Sequence, residues 1–120
     1  MFAMSLESGR RVWETPAPRA CQARDRCSPA QSAAVSAIPG VVFSGAIDGH
    51  LPPYSTTNGS IVWDVDTAQT YDTTNGVPAR GGSLNVAGPA ISGSTVIINS
   101  GYAQNGMPGN ALLAYTVDGK

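Results

Sequence analysis

Residues 3–13 read AMSLESGRRVW, and residues 53–63 repeat the same frame as PYSTTNGSIVW. In each copy a strand-like segment ends in a polar turn closed by glycine, and a tryptophan follows four residues after that glycine. Residues 113–120, LAYTVDGK, begin a third and shorter copy. Self-similarity at a period of this size is typical of repeat folds, in which each repeat is one supersecondary unit. The sequence therefore predicts a repeat architecture.

Short apolar runs separated by turn signals lie between the copies. Many are rich in β-branched residues, and pairs such as Asp48-Gly49 and Asn58-Gly59 are typical hairpin turns. Glycine and proline, with 14 and 9 residues, are too frequent for a convincing helix. The sequence thus predicts an all-β chain of antiparallel meanders, with a long polar loop at residues 66–88. The predicted strands are 11–14, 32–38, 41–46, 51–55 and 61–65, followed by 89–92, 95–100 and 111–116.

Composition excludes several classes of function. The net charge is −1 and charged residues make up 12% of the chain, which gives no electrostatic case for nucleic acid or an anionic membrane as partner. No apolar run is long enough to span a bilayer, and the N-terminal residues lack the pattern of a signal peptide. Two repeats with fragments cannot close a ring, so we expect a piece of a larger protein.

The two cysteines, Cys21 and Cys27, lie in a loop rich in proline and arginine. One interpretation is a pair of free thiols. The other is a local disulfide, which would indicate an oxidising compartment such as the periplasm. Two cysteines and one distant histidine, His50, do not supply the four ligands of a structural zinc site, so no metal is predicted.

The repeats resemble those of the pyrroloquinoline quinone (PQQ) dependent dehydrogenases, the quinoprotein β-propellers. Their blade-docking motif reads Ala-x-Asp-x-x-Thr-Gly-Lys-x-x-Trp, and the first copy matches it at Ala3, Gly9 and Trp13. The second copy keeps Gly59 and Trp63. The departures from the motif in the first copy are Ser5, Ser8 and Arg10.

Within that family the run from Cys27 to Lys120 is most similar to the C-terminal part of polyvinyl alcohol dehydrogenases. The stretches that carry this similarity are residues 46–51 (AIDGHL), 76–83 (GVPARGGS), 99–102 (NSGY) and 108–115 (PGNALLAY).

The resemblance implies an incomplete β-propeller of about two four-stranded antiparallel blades with partial blades. Residues 1–14 would end one blade, 32–65 would form a complete blade, and 89–120 would form an incomplete one. The implied parent is a periplasmic enzyme that oxidises secondary alcohols with PQQ and calcium. Its partners would be the remaining blades, the alcohol, and an electron acceptor such as cytochrome c. We expect the chain alone to be inactive and to bind neither PQQ nor calcium as a cofactor.

The resemblance also indicates where site residues should lie. Loops between blades form the active-site face in this family, and residues 80–83 (Arg80, Gly81, Gly82 and Ser83) end such a loop. Paired glycines allow close backbone approach, and arginine offers a planar fork to the carboxylates of PQQ. These four residues are therefore a candidate cofactor site, with a glycine-rich turn and a solvated arginine as the alternative.

The remaining polar candidates are weaker, and the tryptophans have a structural interpretation. Trp13 and Trp63, with Gly9 and Gly59, are predicted to dock one blade on the next, since a flat apolar side chain suits that contact. No residue is identified as the catalytic base. The weaker candidates on the same face are Asp48, His50, Asn105 and Asn110.

Two functions of other classes stay open. Propeller repeats of this type also serve as non-enzymatic scaffolds that bind proteins in outer-membrane assembly. Such scaffolds do not need an Arg-Gly-Gly segment directed to the channel, and this chain has one. A remnant of a broken gene is the third interpretation.

Overall fold

The computed structural model describes residues 1–18, 21, 23–85, 87–102 and 105–116. In these residues the chain forms short antiparallel strands and no helix, so the predicted all-β class is confirmed. The strands are β1 (Phe2–Met4), β2 (Arg11–Glu14), β3 (Val35–Ile38), β4 (Val41–Ser44), β5 (Pro53–Ser55), β6 (Thr70–Tyr71), β7 (Ala79–Arg80), β8 (Ala90–Ser92), β9 (Thr95–Ser100) and β10 (Ala111–Thr116).

Strands that are neighbours in sequence pair with each other, as a meander requires. Within the described residues β1 pairs with β2, β3-β4-β5 and β8-β9-β10 form three-stranded sheets, and β6 pairs with β7. The β9–β10 ladder is regular along its whole length, from Ala111 opposite Ser100 to Thr116 opposite Thr95. This order agrees with the predicted meanders, but the sheet within residues 32–65 carries three strands where four were expected.

The predicted fourth strand, residues 61–65, is not a regular strand. It runs beside β5 through separate hydrogen bonds, with Val62 N donating to Pro53 O and Leu51 N to Val65 O, both at 3.0 Å. Pro52 and Pro53 have no N–H to donate, so the ladder on this side cannot be continuous. The segment therefore pairs only through isolated bridges.

The predicted polar loop at residues 66–88 contains a hairpin that the sequence did not indicate. Thr70 pairs with Arg80 and Tyr71 with Ala79, which forms β6 and β7. Thr73 and Asn75 close the turn between them, because the Thr73 hydroxyl donates to Asn75 Oδ1 at 2.7 Å. This hairpin fixes the position of Arg80.

One apolar core joins the two three-stranded sheets. Phe43 on β4 and Ile98 on β9 share a buried cluster with Leu51 and Leu84. Leu84 directly follows the Arg-Gly-Gly-Ser segment, so burial of its side chain anchors that segment against both sheets. Partly buried residues that extend the cluster are Val41, Trp63, Val65, Ile91, Val96, Leu113 and Tyr115.

The two complete copies of the repeated frame form the same backbone turn. Gly9 N donates to Ser5 O and Gly59 N donates to Ser55 O, each at 2.9 Å. Both glycines have positive φ, 66° and 73°, a conformation in which a side chain is strained. The glycine of the frame is therefore required by the turn itself.

Candidate functional site

An arginine-lined cavity of about 410 Å³ lies between the Arg80-Gly81 segment and the loop that contains the cysteines. Three arginines and one carboxylate are among its lining residues, which gives it the chemistry of an anion site. The lining residues are Arg24, Asp25, Arg26, Ala68, Arg80, Gly81, Met107 and Pro108.

The backbone of Arg80 is held on both sides by one asparagine. Arg80 N donates to Asn110 Oδ1 at 2.9 Å, and Asn110 N donates to Arg80 O at 2.8 Å. The side chain of Arg80 is exposed, and its guanidinium has no ion-pair partner in the described part of the chain. A fixed backbone with an uncommitted planar fork is what recognition of a ligand carboxylate needs.

The paired glycines approach protein backbone. A Cβ on Gly81 would lie 1.7 Å from Thr67 O, and one on Gly82 would lie 2.2 Å from Met107 O. Gly82 N also donates to Ser100 Oγ at 2.8 Å. Gly81 lines the cavity and Gly82 does not. Because neither residue has a Cβ, the segment can lie close to the backbone of Thr67 and Met107.

Ser83 is buried and uses its hydroxyl within the chain. Its Oγ donates to Ile47 O at 2.5 Å and accepts a hydrogen bond from Met107 N at 2.7 Å. It does not line the cavity, and it is 2% exposed. The structure thus brings Arg80 and Gly81 to the cavity and assigns Gly82 and Ser83 to its support.

The opposite wall is the cysteine loop, which the structure closes with a disulfide between Cys21 and Cys27. Arg24 clamps this loop to the fold, because its Nη2 and Nη1 lie 2.5 and 3.3 Å from the two carboxylate oxygens of Asp66. Burial raises the pKa of Asp66, but the hydrogen bonds from Arg24 and from Ala68 N outweigh it, and the pKa lies below its ordinary value. Nothing in the sequence indicated this long-range ion pair.

Asp48 and His50 lie in the turn between β4 and β5. Asp48 Oδ1 accepts a hydrogen bond from His50 N at 3.0 Å, which closes an Asx turn. Asp48 is only 1% exposed, and this burial raises the pKa of its carboxyl group above the ordinary value. His50 Nδ1 lies 2.9 Å from Asp64 Oδ2. Both residues have partners that account for them as turn residues.

The two tryptophans that were predicted to dock blades make different contacts in the structure. The Trp13 Nε1 donates to Thr56 O at 3.0 Å, and the ring lies against Gly59. Trp63 meets Tyr115 edge-on, with ring centroids 5.3 Å apart. The end of the third copy of the repeated frame, residues 117–120, lies outside the described residues.

The described residues contain no group of three or more histidine, cysteine, aspartate or glutamate side chains that could hold a metal ion. In the same part of the chain, no helix has the length and apolar character needed to cross a membrane. A second cavity, of about 500 Å³, lies between the three-stranded sheets and is mostly apolar.

Comparison with known proteins identifies homologues that are dehydrogenases. The chain is similar over its whole length to two polyvinylalcohol dehydrogenases. It is 44% identical to that of a Pseudomonas species over 132 aligned positions, and 37% identical to that of a Sphingopyxis species over 134. The chain spans 21% and 20% of the lengths of these relatives. No family model matches it.

Proposed function

We propose that this chain is a segment of a PQQ-dependent alcohol dehydrogenase with a β-propeller fold, acting on secondary alcohols such as polyvinyl alcohol. The observation that carries the proposal is the similarity to two polyvinylalcohol dehydrogenases, which covers 100% of the chain at up to 44% identity. The antiparallel meanders and the docking of Trp13 on the turn of the next copy support a partial propeller.

The arginine-lined cavity supports a role in holding the cofactor. PQQ carries carboxylates, and Arg80 offers a guanidinium with no ion-pair partner among the described residues. The residues present fit such a group. When bound, the quinone supplies the oxidising group that takes hydride from the alcohol.

What this chain contributes is binding and orientation. Asn110 fixes the backbone of Arg80, which sets the point from which the arginine side chain extends at the cavity. Ser83 and Leu84, which follow Arg80 and the two glycines, are buried and anchor that segment to the core. The described residues contain no group of three or more histidine, cysteine, aspartate or glutamate side chains, and our proposal places the calcium ligands in the rest of the parent protein.

The experiment is a replacement of the matching segment in the Pseudomonas relative by these 120 residues. Dye-linked oxidation of polyvinyl alcohol is then measured with PQQ and calcium added. We expect the hybrid to turn over with PQQ and to lose activity without it, while the chain alone shows no turnover. A folded hybrid that is inactive would sink the proposal.

A further inference from the structure

Two buried hydroxyl groups contact the segment that carries Arg80. Thr67 and Ser100 are both 0% exposed, and Thr67 Oγ1 lies 2.8 Å from Ser100 Oγ. Ser100 is the last residue of β9, and Thr67 precedes β6 in the loop between the three-stranded sheets. The pair therefore joins two parts of the chain that are 33 residues apart.

Ser100 uses every hydrogen-bonding position of its hydroxyl group. A serine hydroxyl offers one donor and two acceptor positions. Ser100 Oγ donates to Gly82 O at 3.0 Å and accepts a hydrogen bond from Gly82 N at 2.8 Å. The hydroxyl of Thr67 fills the second acceptor position when it does not donate to Gly49 O at 2.7 Å. Gly49 O has a bond from Thr67 N at 2.9 Å in either case, so no acceptor is left without a donor.

The same two residues fill the space beside the segment. A Cβ on Gly81 would lie 1.7 Å from Thr67 O and 2.8 Å from Ser100 Oγ. The segment cannot move towards these residues, and its hydrogen bonds to Ser100 oppose movement away from them. The Arg80 side chain is exposed, and in the described part of the chain it has no ion-pair partner. The backbone is thus held in place while the guanidinium stays available to a ligand.

We infer that Ser100 is a positioning residue for the cofactor site, and that it acts through Arg80 by binding the backbone N–H and C=O of Gly82. The inference rests on the proposed function, because it concerns how the arginine that would bind the cofactor carboxylates is presented. Without the Ser100 hydroxyl, the buried N–H of Gly82 loses its acceptor. The backbone that carries Arg80 is then held less closely, and a loosely held binding group loses affinity.

The test uses the hybrid enzyme, in which these 120 residues replace the matching segment of the Pseudomonas relative. PQQ affinity is measured for the unaltered hybrid, for Ser100→Ala, for Arg80→Ala and for the double variant. Ser44→Ala is the matched control, because Ser44 is a serine 1% exposed at the end of β4. None of the hydrogen bonds described for residues 80–82 involves Ser44. Thermal unfolding without PQQ shows whether each variant keeps its fold.

We expect Ser100→Ala to weaken PQQ binding about tenfold where Arg80 is present and to add no further loss where Arg80 is already alanine. This non-additivity separates a positioning residue from one that only stabilises the fold. Ser44→Ala should leave PQQ affinity unchanged. Unchanged affinity in Ser100→Ala, or equal losses with and without Arg80, overturns the inference.

If Ser100→Ala does not fold, two variants of Thr67 decide. Thr67→Val keeps the shape and removes the hydroxyl that contacts Ser100, whereas Thr67→Ser keeps that hydroxyl. Thr67→Val should weaken PQQ binding about threefold, as loss of one hydrogen bond does, and Thr67→Ser should bind as the unaltered hybrid. Equal affinity in both overturns the inference.

The inference and the proposed function fail in different ways. An unaltered hybrid that folds and does not bind PQQ refutes the proposed function and the inference with it. An unaltered hybrid that binds PQQ, with Ser100 variants that bind it equally well, refutes the inference alone.

Discussion

The indole of Trp13 lies against Gly59, forty-six residues later in the chain. A Cβ added to Gly59 would lie 2.4 Å from the Trp13 ring, and the Trp13 Nε1 donates to Thr56 O at 3.0 Å. Thr15 Oγ1 adds a hydrogen bond of 2.6 Å to Gly59 O. The tryptophan of one copy of the repeated frame is thus docked on the glycine turn of the next.

This contact predicts a large cost for a methyl group at Gly59. Gly59→Ala should destabilise the chain by about 1–3 kcal/mol beyond the backbone strain, because the new Cβ overlaps the Trp13 ring. Gly76→Ala is the matched control, since Gly76 has the same φ of 73° and nothing within 4 Å of its Cβ position. Urea unfolding of both variants measures the difference. Equal costs would show that the Trp13 contact adds nothing.

Ser83 should matter for folding more than for ligand binding. Ser83→Ala leaves Ile47 O and Met107 N without their hydrogen bonds, which costs about 1–3 kcal/mol for buried groups. Ser94→Ala, at an exposed turn, is expected to change stability little. The midpoint of urea unfolding is measured for the chain, and PQQ affinity is measured for the hybrid enzyme that carries the same substitution. A large loss of affinity with unchanged stability would contradict the supporting role.

Asp48 should lower stability at neutral pH. Its raised pKa means that the folded chain holds the proton more tightly than the unfolded chain, so stability falls as pH rises through that pKa. Asp48→Asn keeps an acceptor for His50 N and removes the buried charge. The variant should melt at a higher temperature than wild type at pH 7, with the gain shrinking towards pH 3. Asp72→Asn, at an exposed position, is the control.

A melting temperature of Asp48→Asn that is lower than wild type at pH 7 would contradict this account. It would mean that the carboxylate charge of Asp48 is needed, for example by Arg24, whose pKa is raised by Asp66 and also by the charge of Asp48.

The Arg24–Asp66 pair should have the opposite pH dependence. Because the pKa of Asp66 is lowered in the fold, its contribution is present above the unfolded pKa and is lost as pH falls through the folded one. Arg24→Met should cost about 0.5–1 kcal/mol at pH 7, as expected for a partly exposed pair, and clearly less once Asp66 is protonated. Arg11→Met breaks the more exposed pair with Glu14 and should cost less. A cost for Arg24→Met that is independent of pH would exclude the ion pair as its cause.

The sequence predicted those parts of the fold that local signals determine. The turns at Gly9 and Gly59 and the regular pair β9–β10 follow from glycine placement and from β-branched runs. Residues 61–65 departed from a strand because Pro52 and Pro53 interrupt the partner side of the ladder. The β6–β7 hairpin was missed since its two-residue strands carry no apolar alternation.

The candidate site was predictable only on one side. Arg80 and Gly81 stood out in the sequence and line the cavity, while Arg24 and Arg26 did not. Their approach depends on the long-range pairing of Arg24 with Asp66, forty-two residues away, which no local pattern encodes. A cysteine pair that brackets three charged residues was the available signal.

The central claim is that Arg80 holds the cofactor carboxylates, and PQQ titration of the hybrid enzyme tests it most directly. The hybrid carries these 120 residues in the Pseudomonas relative, and PQQ affinity is compared between it, its Arg80→Ala variant and its Arg10→Ala variant. We predict that Arg80→Ala weakens PQQ binding at least tenfold, as removal of a bidentate pair does, and that Arg10→Ala leaves it unchanged. Equal PQQ affinity in all three proteins would contradict the account.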